Sequence, residues 1–284
     1  MKRGSMLWVL AFIITLASAI YQRMTGPTYP SSGSAGIGST TVHYRLLRSF
    51  ETGGDAPVEV AVPDTAVHGR LEWKRYKTND AWTVVAMTEK GGVLAARLPR
   101  QPAAGKLEYR VILTSAGTET VLPNEGGVVL RYKDEVPAAI LIVHVLAMFS
   151  GMLLSTRAGL EIFNATPRFP PLILSTIGLL TLGGIIMGPI VQKYAFDAYW
   201  TGWPFGHDLT DNKTIFALLC WLAALYAIRR GKSAKAWALG AAIVTFLVFL
   251  IPHSVLGSEL DYNALDRQAG RQAVTIDSLS HPHP

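Results

Sequence analysis

Between Lys193 and Thr214 the chain reads KYAFDAYWTGWPFGHDLTDNKT, a polar and aromatic loop set between two apolar stretches. Trp200, Trp203, Phe205, His207, Asp208 and Asp211 crowd into it, where a plain connector needs only a few turn residues. An imidazole beside a carboxylate, as in His207-Asp208, suits metal coordination or proton transfer. His144 follows Pro137 by seven residues, about 10 Å into a helix, and an ionisable group at that depth calls for a partner or a ligand. Met148, Gly151, Met152 and Ser155 follow at helical spacing and share its face. His253 comes after Pro252 at the end of the last apolar stretch and would face His144 if the two helices are neighbours. Glu259 and Asp261 lie close behind and can orient an imidazole through its second nitrogen. His144, His207, Asp208, His253 and Glu259 are therefore the candidate donors to a transition metal.

Each of these residues also has a plainer role. His144 can hydrogen-bond between helices, and Met148 and Met152 can simply pack. Tyr199, Trp200, Trp203 and Phe205 can form an interfacial aromatic belt, although Gly202, Pro204 and Gly206 argue for a fixed loop. Asp208 and Asp211 can cap the next helix, with Asn212 and Lys213 in the same turn, and Glu259 and Asp261 can be solvated charges.

The elements that must position these groups are membrane-spanning. Half of the 284 residues are hydrophobic and only 16% are charged, too apolar a balance for a soluble protein. The net charge of +6 sits in short basic clusters beside apolar segments, which speaks for orientation in a bilayer and against nucleic-acid binding. The single cysteine, Cys220, excludes an intrachain disulfide and a Cys-based metal cluster.

Lys2 and Arg3 precede an apolar run from Met6 to Ile20, read as a signal anchor or as a signal peptide cut after Ala17-Ser18-Ala19, within residues 1–24. Residues 25–39, rich in Gly, Ser, Pro and Thr, read as a flexible linker. Over residues 40–134 the period is two, with strands expected at Val42–Phe50, Val58–Val62, Gly69–Tyr76, Trp82–Thr88, Gly92–Leu98, Lys106–Thr114, Thr118–Leu122 and Val128–Tyr132. Short strands at that spacing predict an exported β-sandwich around Trp73, Trp82, Tyr109 and Val111.

Residues 135–253 predict a four-helix transmembrane domain with spans Ala138–Thr156, Pro171–Val191, Thr214–Ile228 and Ala234–Ile251. The third is short and is expected to borrow the polar turn before it, capped by Thr210 or Asp211. Residues 254–284 read as a polar tail on the outer face. Arg157 and Arg168 flank one loop, and Arg229, Arg230, Lys232 and Lys235 fill another, which places both in the cytoplasm of a bacterial cell. The expected fold class is thus an α+β protein of the bacterial inner membrane, with the β domain, the Lys193–Lys213 loop and the tail on the outer face.

Two resemblances bear on this reading. The residues Leu71-Glu72-Trp73 and Leu107-Glu108-Tyr109-Arg110-Val111 resemble a fibronectin type III or immunoglobulin-like module. The run from Tyr199 to Asp208, followed by Asp211 to Thr214 and Trp221, resembles the tryptophan-rich WWD loop of the heme-handling membrane proteins of cytochrome c maturation, with His144 and His253 in the place of the flanking histidines. That resemblance implies a heme held against Trp200, Trp203 and Phe205 with His144 and His253 as axial ligands. The chain departs from that family in its tryptophan spacing, its smaller number of spans and its β domain.

Three functions follow as expectations: an outer-face heme or metal site for cofactor handling or electron transfer, a non-catalytic accessory subunit whose β domain docks an exported or membrane partner, and a membrane hydrolase using Ser254 or a metal-bound water with His207 and Asp208. The last has no recognisable nucleophile motif behind it.

Overall fold

The computed structural model describes residues 3–38, 40–64, 66–206, 208–252, 257 and 259–268 of an α+β chain. It divides into two compact units, one of Met1–Tyr29 with Asp134–Ser258 and one of Pro30–Lys133 with Glu259–Pro284.

The second unit contains β1 (Ser31–Ile37), β2 (Thr40–Leu46), β3 (Ser49–Glu51), β4 (Ala56–Ala61), β5 (His68–Arg75), β6 (Thr83–Ala86), β7 (Thr88–Lys90), β8 (Val93–Leu98), β9 (Lys106–Ser115), β10 (Thr118–Leu122) and β11 (Val128–Lys133). One sheet runs β3-β11-β9-β5-β6, with β10 also on β9; a second runs β4-β8-β7, and β1 and β2 form a hairpin. Period-two alternation turns Leu107, Tyr109, Val111 and Leu113 of β9 inward, into one buried core with Leu71, Leu130, Val58, Val60, Leu94 and Leu98. Tyr109 closes that core by donating its hydroxyl to the Leu47 carbonyl at 2.7 Å.

Three sequence expectations are corrected here. The stretch expected as a linker supplies β1, paired along its length with β2. Its glycines and serines suit that pairing: a Cβ on Gly33 would sit 2.5 Å from the Tyr44 hydroxyl, and Ala35 and Ile37 are buried. The strand expected at Val42–Phe50 is two strands, because β3 leaves the hairpin to run parallel to β11. Trp82 is not a core residue but stacks under two cations, with Arg110 4.6 Å and Lys74 5.0 Å from its ring.

The first unit is helical: α1 (Arg3–Thr25), α2 (Ala138–Leu160) continued by a 3₁₀ turn (Glu161–Phe163), α3 (Phe169–Leu180), a π-helical segment (Thr181–Met187), α4 (Gly188–Phe196), α5 (Leu209–Arg229) and α6 (Ala234–Leu250). Four continuous stretches, Arg3–Thr25, Ala138–Phe163, Phe169–Phe196 and Leu209–Arg229, are long and apolar enough to cross a membrane, and Ala234–Leu250 is a shorter apolar helix. Small residues let the helices approach: Ala217 and Ala224 of α5 and Ala238, Ala241 and Ala242 of α6 are buried, around a Trp221 whose Nε1 donates to Thr245 Oγ1 at 2.8 Å. At one end of α2, Arg157 and Glu161 form a buried ion pair, and Glu161 also accepts from the Arg168 amide (2.7 Å) and Asn164 Nδ2 (2.8 Å). The expected picture of a four-helix domain preceded by a separate anchor is revised, since α1 packs on α2 and α6 within the same unit.

Candidate functional site

The face of α2 that carries Leu141, His144, Val145, Met148, Phe149 and Met152 recurs at three- and four-residue steps, the spacing of one helical stripe. Opposite it, α1 contributes Ser18, Ala19 and Gln22, with the exposed Arg23 at its edge, and Gly26, Thr28, Val191 and Phe249 complete the walls. Together they enclose a groove of about 370 Å³, inside the roughly 300–1,000 Å³ range of small-molecule sites. Its lining is mostly apolar, with His144 and Gln22 set into it and Arg23 beside Thr28 at 3.2 Å.

Both inner polar groups are held by backbone. His144 Nδ1 lies 2.8 Å from the carbonyl oxygen of Gly183, which can only accept, so Nδ1 carries the proton and Nε2 keeps its lone pair. Gly183 reaches α2 because it lies in the π-helical segment: a Cβ there would sit 2.8 Å from Met148 Sδ and 3.0 Å from Ala147 Cβ. Pro189, just downstream, withdraws an amide donor from the preceding turn, which favours the widened register. Gln22 Nε2 donates to the Phe249 carbonyl at 2.6 Å and to the Ile251 carbonyl at 3.2 Å, satisfying the open end of α6. The π turn that frees a carbonyl for His144 leaves no mark in hydrophobic periodicity; the Gly183-Gly184 pair ahead of Pro189 is the signal that could have pointed to it.

The aromatic loop is a separate construction in the same unit. Asp208 caps α5 by accepting from the Thr210 amide at 2.7 Å, so the cap is neither Thr210 nor Asp211. Asp211 Oδ2 accepts from the Thr201 and Gly202 amides at 2.8 and 2.9 Å, and Asn212 Oδ1 accepts from the Trp203 amide at 2.7 Å. Trp200 Nε1 donates to the Trp203 carbonyl, closing the turn that contains the cis Trp203-Pro204 bond. Lys213 Nζ donates to the Ile251 carbonyl at 2.6 Å, so α1 and α5 both tie down the end of α6. The loop presents its rings outward: Trp203 is 73% and Phe205 82% exposed.

Among the described residues, the aromatic loop, His144 and Glu259 are not brought together. Trp200, Trp203 and Phe205 do not line the groove of His144, because their loop is folded against the start of α5. Asp208 Oδ1 caps α5, and its Oδ2 lies 3.3 Å from Thr201 Oγ1. Glu259 belongs to the β unit, where it accepts from Lys77 (2.7 Å) and Lys106 (2.8 Å). The segment expected as an outer-face polar tail is, over residues 259–268, packed on that unit: Tyr262 is buried with its hydroxyl on Gln101 Oε1 at 3.0 Å, and Arg75 grips Asp266 through both terminal nitrogens at 2.8 and 2.9 Å. His207, His253 and Ser254 lie outside the described residues. Among the described residues, no group of three or more His, Cys, Asp or Glu side chains is placed to hold a metal ion.

What remains at the groove is one imidazole with a free Nε2 and two thioethers, Met148 and Met152, in an apolar wall. These three lie on one stripe of one helix, so they approach a ligand from the same side, and the groove suits an apolar ligand held by a hydrogen bond.

No protein-family model matches the chain, and no curated protein matches it. Among solved structures, it is similar to a crystal structure of a bromine derivative of BhCBM56, a carbohydrate-binding module, at 15% identity and a TM-score of 0.24, covering 37% of this chain and 92% of the other.

Proposed function

We propose that this chain is an integral membrane protein whose helical unit holds a membrane-soluble cofactor in the His144 groove, for cofactor handling or electron transfer. The observation that carries the reading is the fixed tautomer of His144, which leaves a ligand-ready nitrogen in an apolar groove. Heme, the cofactor the WWD resemblance implies, is one form this ligand can take: His144 would hold it through Nε2, and Met148 and Met152 would pack against it from the same helix face. A bound heme would supply one-electron redox chemistry, and the chain's own part is to hold the ring face, exclude water and fix the imidazole through Gly183.

The placement that goes with this reading is the bacterial inner membrane. The basic loops Arg157–Arg168 and Arg229–Lys235 would be cytoplasmic, and the β unit, of immunoglobulin-like or fibronectin-like character, would be exported. The α1 helix would be retained as part of the bundle, since its Gln22 caps α6 and its Ser18 and Ala19 wall the groove.

A visible absorption spectrum and organic extraction of the full-length protein, purified from membranes, test the reading. A Soret band or an extractable lipophile, diminished in His144→Ala, is the expected result; neither in the unaltered protein would defeat it. A second reading, a non-catalytic accessory subunit, draws on the pinned loop that exposes Trp203 and Phe205, a surface suited to a membrane partner.

A further inference from the structure

The groove has two unlike ends. At one, Ser18 Oγ lies 3.8 Å from Met152 Sδ, and beyond it Arg157 lies over the Trp8 ring, so α1 and α2 run antiparallel along the groove. At the other end Arg23 stands exposed at the edge, beside Gly26 and Thr28. Its guanidinium is held in place: Nη1 donates to Thr28 Oγ1 at 3.2 Å, and the group lies 5.9 Å from the centre of the Tyr29 ring. Thr28 accepts that bond and keeps its own hydroxyl hydrogen, so both side chains can donate at this mouth. The other polar lining residues are Ser18, Gln22 and His144; none of the lining is acidic, and no carboxylate pairs with Arg23 among the described residues. From Leu141 to Met152 the α2 wall runs about 16 Å, half the thickness of a hydrocarbon core of about 30 Å. Leu141, Val145 and Phe149 follow one another at four-residue steps and are exposed, so the groove is open along its side.

Resting on the reading that this groove holds a membrane-soluble cofactor, we propose that the cofactor is a single-chain lipid ending in a phosphate. The phosphate oxygens accept from Arg23 and Thr28 at the mouth, and the chain lies along Val145, Met148, Phe149 and Met152, past His144. Charge selects the head: a mouth that offers a cation and a hydroxyl, with no carboxylate in the lining, favours an anion over an alcohol of the same chain. Shape selects the tail: one stripe of α2 against one stripe of α1 seats one chain, and the second chain of a diacyl lipid is left without a wall. The open side of the groove lets the chain enter from within the bilayer while its head stays at the edge, which in the orientation proposed above is the outer one.

The test uses the full chain in nanodiscs of zwitterionic lipid, with the ligand bound per chain counted by native mass spectrometry over a titration and empty nanodiscs as the reference. Farnesyl phosphate is compared with farnesol, with dioleoylphosphatidylglycerol, with inorganic phosphate and with hemin. The expected result is one farnesyl phosphate per chain, bound about tenfold more tightly than farnesol, the scale of one charge-assisted hydrogen bond. That preference should shrink as salt is raised, because Arg23 is exposed. Arg23→Gln should remove the preference and leave farnesol binding unchanged, and Ala19→Trp, which fills the groove from the facing helix, should abolish both. The comparison of head groups needs no variant, so it decides the matter even if a substitution impairs folding. Farnesol, phosphatidylglycerol or inorganic phosphate binding as tightly as farnesyl phosphate would overturn the proposal. Hemin binding that depends on His144, without farnesyl phosphate binding, would overturn it while leaving the cofactor reading intact; no binding of any probe would remove both.

Discussion

Asp211 concentrates two backbone amides, those of Thr201 and Gly202, on one carboxylate oxygen, and the loop that exposes Trp203 depends on them. Asp211→Ala should therefore cost about 3 kcal/mol, the sum of two charge-assisted bonds at roughly 1.5 kcal/mol each, and Asp211→Asn, which keeps one acceptor oxygen, about half of that. Thermal unfolding followed by tryptophan fluorescence reads both, and equal midpoints for the two variants would contradict this role. Gly183→Ala should cost about 2 kcal/mol by overpacking, since its Cβ would press on Met148 Sδ at 2.8 Å, and it should also weaken ligand retention by displacing the His144 acceptor. The sequence singled out His144 by its depth, and in the structure it lines a mostly apolar groove. It could not say which carboxylate caps α5, because Asp208 and Asp211 both lie within a turn of the helix start and either satisfies the same amides.

At the scale of elements, the segment 259–268 is a clasp on the β unit built from charge. Burial raises the Glu259 carboxyl, and the hydrogen bonds from Lys106 and Lys77 outweigh it, holding the group below its ordinary 4.5. Burial pulls Lys106 down against the opposing effect of Glu259, the reverse of what an ion pair alone would do. The Glu259 direction governs the acid side, because two ammonium groups converge on it at 2.7 and 2.8 Å. A carboxyl lowered in the folded state adds stability above its unfolded value and loses it as pH falls through the folded one. A fluorophore at Asn263→Cys, in a Cys220→Ser background, should thus stay immobile at neutral pH and gain mobility only as pH drops below about 4.5, with Glu259→Gln mobile throughout. Release on raising the pH from 5 to about 8 would contradict the clasp. These contacts escaped the sequence because Glu259 lies more than 150 positions from Lys106, and no local period links them. The β-strands were legible for the opposite reason: the alternation that carries Leu107, Tyr109, Val111 and Leu113 is local, though the buried Ile112 interrupts it. The hairpin strand β1 was hidden by its Gly and Ser content, which signals a linker until Tyr44 is seen lying over Gly33.

For the whole molecule, the proposed orientation in the bilayer rests on the basic loops. Cysteines at Ala165 and at Tyr199, each in a Cys220→Ser background, should be labelled by impermeant maleimide from the cytoplasmic and the outer side respectively. Labelling of both from one side would contradict the proposed topology. The number of apolar segments was readable from composition, but the membership of α1 in the helical unit was not, since a signal peptide and a packed helix share the same apolar run. The most direct measurement of the central claim is native mass spectrometry of the full-length protein released from its own membranes, unaltered and with Ala19→Trp filling the groove. The account predicts one bound lipophilic cofactor per chain in the unaltered protein and none in the filled variant; the same ligand content in both, or no ligand in either, would contradict it.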